Sequence, residues 1–177
     1  MRNIVFHALA EAARNGEPVA LGIISGAKGS SPQKVGAKAL FYADGRIQGT
    51  LGGGCLEAEI QQRAVQSLRT GQGATFELVL DHDFGWDDGL MCGGKVCGLI
   101  LPNAQSAGEK LWNELAERKQ TTAWGVKDDY SITRAPAGEA SGLPQGFGLR
   151  QPSGAFGCEQ SARKRQRAGA VQDAIAR

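Results

Sequence analysis

Two cysteines stand inside runs of glycine, and these runs hold the chain's most chemically suggestive residues. The first run is Gly49-Thr50-Leu51-Gly52-Gly53-Gly54-Cys55-Leu56-Glu57. It reads as a strand passing through three glycines into a helix predicted from about Cys55 to Leu68. A strand, a glycine loop and a helix N-terminus leave backbone amides unpaired and add the helix dipole, so an anion is favoured there. Cys55 falls in the first turn, where that field favours thiolate over thiol. The run is neither a phosphate loop of the Gly-Lys-Ser/Thr type nor a G-x-G-x-x-G dinucleotide loop. Glycines that merely allow close packing beside a buried, inert cysteine remain the alternative.

The second run is Leu90-Met91-Cys92-Gly93-Gly94-Lys95. Glycines on the carboxyl side of Cys92 keep the sulfur approachable, and Lys95 would favour its thiolate. A turn before a strand, with Cys92 as a core residue, is the competing reading. A third segment, Gly29-Ser30-Ser31-Pro32, follows a predicted strand and offers hydroxyls and exposed amides to an anion. It reads equally as an ordinary turn.

Other chemistries find less support. Cys92 and Cys97 could join Cys55 or His82 around zinc, but C-x4-C is loose spacing and Cys97 lies in the apolar run KVCGLIL. His82 among Asp81, Asp83, Asp87 and Asp88 lacks the order of an EF-hand and reads as a solvated acidic loop. His7 lies on a helix beside apolar residues, a structural setting. No G-x-S-x-G is present to suggest a serine hydrolase. The run Arg163-Lys164-Arg165-Gln166-Arg167 has no aromatic partners, so nucleic-acid binding is not expected.

The elements that must position these loops alternate between helix and strand. Helices are predicted over 3–15, 55–68 and 105–119 from apolar residues at helical spacing. In the last of these, Glu114 and Arg118 would pair one turn apart. Strands are predicted over Val19–Ile24, Ala37–Tyr42, Ile47–Leu51, Phe76–Leu80 and Lys95–Leu101, with Asp44-Gly45 turning a hairpin. A last hairpin would join Thr121–Val126 to Tyr130–Thr133. The fold class is therefore α/β: one compact domain over residues 1–135, with a mixed sheet flanked by helices. Residues 136–177 are rich in Gly, Pro and Ser without a sustained period and are expected to be a disordered tail.

Composition agrees with a globular body. The chain has 177 residues, 41% hydrophobic and 21% charged, with a net charge of +2. Residues 1–135 carry 14 Lys/Arg against 15 Asp/Glu, while 136–177 carry 6 against 3, so the excess positive charge belongs to the tail. Near-neutrality of the body gives no general attraction to nucleic acid or membrane. No stretch reaches the roughly 20 apolar residues of a membrane span, and Glu11 and Glu17 interrupt any signal-like N-terminus. Four cysteines at 55, 92, 97 and 158 do not form a disulfide-scaffold pattern, and a cytoplasmic setting with free thiols is expected.

Taken in order, VALGIISGAKGSSPQKVGAKALFYADGRIQGTLGGGCLEAEI and LMCGGKVCGLIL resemble the XdhC/CoxI family of accessory proteins. The resemblance rests on a G-S-S-P-x-x-x-G loop, an A-D-G-x-I-x-G hairpin, a G-G-C-x-E segment and a later C-G-G. It covers about residues 1–105, with a looser continuation to 135. It implies binding of molybdenum cofactor, help with its sulfuration, and its insertion into a xanthine dehydrogenase-type apo-enzyme without turnover by the chain itself. Carried across, Cys92 is the first candidate for cofactor contact, including contact with molybdenum, and Cys55 the second. Ser30, Ser31, Gly52, Gly53, Gly54, Gly93 and Gly94 are candidates for the pterin or phosphate. Backbone amides suit the phosphate ester and a thiolate suits the metal–sulfur end.

The family usually continues into a Rossmann-type domain, which residues 136–177 are too few to form, since it needs roughly 100 residues or more. The resemblance is thus to an N-terminal half, and it implies a separate Rossmann-type partner, a cysteine desulfurase as sulfur source, and homo-oligomerisation. Two alternatives stay open: a sulfur-transfer enzyme with a persulfide on Cys92 or Cys55, or an interaction module whose cysteines are structural.

Overall fold

The structure is a computed structural model that describes residues 4–29, 33–80, 94–117, 124–134, 147–148 and 174–175. Its centre is a five-stranded sheet. Strands β1 (Val19–Lys28), β2 (Lys38–Tyr42), β3 (Ile47–Gly49), β4 (Ala74–Leu80) and β5 (Gly94–Leu101) stand in the order β3-β2-β1-β5-β4. Helix α1 (Ile4–Asn15) precedes the sheet, α2 (Gly54–Thr70) joins β3 to β4, and α3 (Glu109–Glu117) follows a short 3-10 turn at Ala104–Ala107. A small hairpin, β6 (Trp124–Val126) with β7 (Ile132–Arg134), completes this body.

Helices cover both faces of the sheet. Val19, Leu21, Ile23, Leu99 and Leu101 pack with α1, α3 and the β6–β7 hairpin. Ala20, Ile24, Val96 and Ile100 point the other way and pack with Leu56, Ile60 and Ala64 of α2. Successive strand residues alternate between faces, so with both faces covered the run VALGII is apolar throughout and every one of its side chains is buried.

The α/β class stands, and one detail of the expectation is corrected: every pairing in the sheet is antiparallel, not mixed. Continuous apolar strands usually signal parallel sheets, because those are the ones normally covered on both sides. Here an antiparallel sheet is covered twice. The crossover through α2 does join two strands of the same direction, but β3 and β4 lie at opposite edges and never become neighbours.

Element boundaries follow the local chemistry. Gly71 ends α2 in the left-handed conformation, its amide donating to the Ser67 carbonyl. At the β2–β3 hairpin the Arg46 amide donates to Asp44 Oδ1 over 3.0 Å. The guanidinium of Arg46 also reaches Glu17, tying the hairpin to the start of β1. In the last hairpin Tyr130 belongs to the turn, with φ 63°, and not to the strand as expected. Arg118, and with it the expected Glu114–Arg118 pair, lies outside the described residues. Within the predicted tail, Phe147–Gly148 pairs antiparallel with Ala174–Ile175, and the rest lies outside the described residues.

Arg14 on α1 and Glu109 on α3 form an ion pair at 2.8 Å. Hydrogen bonding to Arg14 holds the Glu109 carboxyl below its usual range. A lowered carboxylate pKa stabilises the fold above the unfolded value and is lost as pH falls through the folded one. Glu109→Gln should therefore melt slightly below wild type at neutral pH, and the two melting curves should converge in acid. A difference that persists in acid would assign the effect to something other than this pair.

Candidate functional site

The antiparallel registers bring the glycine-rich segments to one end of the sheet. β1 leaves at Lys28 opposite Lys95, β3 leaves at Gly49 opposite Ala39, and β4 leaves at Leu80 opposite Gly94. The segments after β1, after β3 and before β5 therefore all attach at the same end. Sequence separations of more than sixty residues collapse to neighbouring strand termini. Ligands of α/β folds gather outside the carboxyl ends of strands, and three such ends meet here.

Between β3 and α2 the backbone is held by two side chains. Glu57, in the first turn of α2, accepts the Leu51 amide over 2.8 Å, and Thr50 Oγ1 accepts the Gly52 amide over 3.1 Å. Gly53 caps the helix without any side-chain hydrogen bond. Gly53 and Gly54 have φ of 74° and 60°, and a Cβ built on either would meet nothing within 4 Å. Backbone angle, not crowding, calls for glycine at these positions, and the space beside their Cα atoms is open.

Cys55 follows in that first turn, partly exposed and free. The expected alternative of a buried, inert cysteine does not hold for it. Gly52, Gly53, Gly54 and Cys55 thus form one short turn, open beside Gly53 and Gly54. Gly94 is the buried first residue of β5. Ser30, Ser31, Cys92 and Gly93 lie outside the described residues, as does the acidic stretch around His82. His7 is exposed on α1. Among the described residues no group of His, Cys, Asp and Glu is arranged to hold a metal ion.

Two expectations about neighbouring side chains are revised. Lys95 does not stand free to favour a thiolate: its Nζ is 2.7 Å from Glu77 Oε1 on the adjacent strand. Cys97 is disulfide-bonded, with its partner outside the described residues, so the expectation that all thiols are free fails there.

Sequence reasoning missed Glu57 as an anchor. As in a capping box, an acidic side chain in the first turn reaches back to an orphan amide, but Glu57 stands four residues after the Gly53 cap and its partner is Leu51, so the usual spacing gave no signal. Glu57→Ala should cost about 1 kcal/mol, measured by chemical denaturation, and should speed amide exchange at Leu51. Unchanged exchange at Leu51 would show that the turn holds without it.

The described residues form an α/β module: a twice-covered antiparallel sheet with a glycine-rich turn and a free thiol at one end. Residues 12–79 match the XdhC and CoxI family. Among curated proteins the chain is 33% identical over 92 residues to a probable xanthine dehydrogenase subunit of Bacillus subtilis (strain 168), covering 50% of this chain and 28% of that protein. Among solved structures it is similar to a xanthine dehydrogenase from Bacillus halodurans, at 27% identity and a TM-score of 0.55. That match covers 63% of this chain and 35% of the other. The chain thus spans about a third of the length of these relatives. No helix among the described residues is long and apolar enough to cross a membrane.

Proposed function

We propose that this chain is an accessory protein for maturation of a xanthine dehydrogenase-type molybdenum hydroxylase, one that binds molybdenum cofactor and passes it on. The observation that carries the reading is the open Gly52–Cys55 turn at the sheet end where all three glycine-rich segments attach. The match of residues 12–79 to the XdhC and CoxI family and the xanthine dehydrogenase names of the relatives support the choice of client.

The residues present fit such a group. Molybdopterin offers an anionic phosphate ester and a soft metal–sulfur end. The amides opening α2 can donate to the anion, because no side chain caps them. The free, partly exposed thiol of Cys55 can meet the soft end. Glu57 holds the turn from behind through Leu51, so the amides keep their direction without a ligand. When bound, the cofactor supplies the redox and oxo-transfer chemistry of the client enzyme. The chain's own part is to bind, orient and release, in a cytoplasmic setting, with a separate Rossmann-type partner and a cysteine desulfurase as further proposed associates.

The test is cofactor capture. The full chain is expressed in a cofactor-competent bacterium, purified without oxygen, and oxidised to release the fluorescent pterin derivative. Stoichiometric pterin from wild type, lost in Cys55→Ala or Cys92→Ala, is the expected result. Pterin retained equally by both variants would remove the cysteines from the site, and none in wild type would overturn binding by this chain. Cyanolysable sulfur on Cys55 without pterin would instead mark a sulfur-transfer protein.

A further inference from the structure

We infer that Lys28 is an anion-recognition residue, turned towards its ligand by a bulge in the central strand. The register of β1 against β5 pairs Ile24 with Gly98 and then Gly26 with Cys97, so Ser25 is an extra residue. Its hydroxyl lies 3.4 Å from the Cys97 carbonyl oxygen and 3.9 Å from Cys97 Sγ, which pins the bulge. A bulge reverses the alternation of every residue beyond it. Without Ser25, Lys28 would follow Ile24 to the α2 side. With it, Lys28 stands directly opposite Lys95, on the same face of the sheet.

Two lysines directly opposite on an antiparallel pair, with Cβ atoms about 5 Å apart, repel each other. Glu77 neutralises only one of them, through the 2.7 Å contact with Lys95. Among the described residues no carboxylate pairs with Lys28. Lys34 is also exposed, in the segment that returns from β1 to β2 at this end of the sheet. A strand that bends to juxtapose like charges, at the end where glycine-rich segments attach, is arranged for an anion. The chemistry that fits is a phosphate monoester, dianionic near neutral pH and able to accept from more than one ammonium group. This goes beyond the proposed function: Lys28 and Lys95 stand on the face of the sheet away from α2, so this anion site is separate from the amides that open α2.

The probe is inorganic phosphate, titrated into the full chain and followed by NMR of the lysine side chains and by melting temperature. Wild type should show saturable shifts at Lys28. Lys28→Gln should weaken phosphate binding at least about tenfold, the worth of one charge-assisted hydrogen bond, while Lys28→Arg should keep most of it. Glu77→Gln, which releases Lys95, should tighten it. Lys110→Gln, on α3, should bind as wild type. Phosphate binding that is absent in wild type, or equal in Lys28→Gln and wild type, overturns the inference. Phosphate binding that depends on Lys28 in a chain that captures no pterin would uphold the inference and sink the cofactor reading.

Discussion

Gly98→Ala should destabilise the fold by about 3 kcal/mol or more and lower the melting temperature by roughly 10 °C. Gly98 lies on β5 opposite Ile24. A Cβ there would come within 2.1 Å of the Ile23 carbonyl oxygen and 2.4 Å of Phe76 Cζ. The first is backbone of the central strand and cannot rotate away. The second is a buried ring on β4. Relief would require β1 and β5 to part just beside the Ser25 bulge. Gly53→Ala makes the contrast. It meets no atom within 4 Å and suffers only its positive φ, at a cost of about 1 kcal/mol. Equal losses in the two variants, read by denaturant titration, would contradict the β1–β5 register.

Trp112→Ala should cost about 4 kcal/mol. The side chain is fully buried on α3. Its ring stacks on Phe6 of α1 at 5.8 Å and meets the edge of Trp124 at 5.9 Å. Its indole N–H donates to the Ala104 carbonyl over 3.0 Å. One residue thus joins α1, α3, the 3-10 turn and the β6–β7 hairpin, and truncation leaves a cavity at their junction together with an unpaired carbonyl. Trp112→Phe should recover most of the packing and lose the hydrogen bond, about 1 kcal/mol. If the phenylalanine variant were as damaged as the alanine one, the hydrogen bond and not the packing would dominate.

Much of this architecture could be read from local pattern. The helix over α2 was legible because Leu56, Ile60 and Ala64 keep a helical period and Gly71 stops it. The β2–β3 hairpin was legible because Asp44-Gly45 admits few other turns. Strand direction was not, because complete burial removes the alternation that separates one-sided from two-sided sheets. The partners of Lys95 also escaped the sequence. Glu77 lies eighteen positions away and Lys28 sixty-seven, and both meet Lys95 only through tertiary pairing. The bulge at Ser25 leaves no local signature, yet it decides which face Lys28 occupies. At the candidate site, Cys55 was placed correctly in a helix's first turn, directly after its glycines, because glycine, strand and helix signals coincide there. The role of Glu57 was hidden, since its partner is a backbone amide that becomes orphaned only once the turn has formed.

The strand order carries a consequence for biosynthesis. β1 occupies the middle of the sheet, but its two neighbours are delivered at very different times. β2 follows within twenty residues, so a three-stranded meander of β1, β2 and β3 can assemble soon after emerging from the ribosome. β5 begins only at Gly94. At roughly 5–20 residues per second, the far edge of an almost wholly apolar strand waits on the order of several seconds for its partner. During that interval the nascent chain presents an unpaired, hydrophobic edge to its surroundings. Yield in the cell should therefore depend on translation speed between Gly49 and Gly94, and on whichever holdase shields that edge meanwhile.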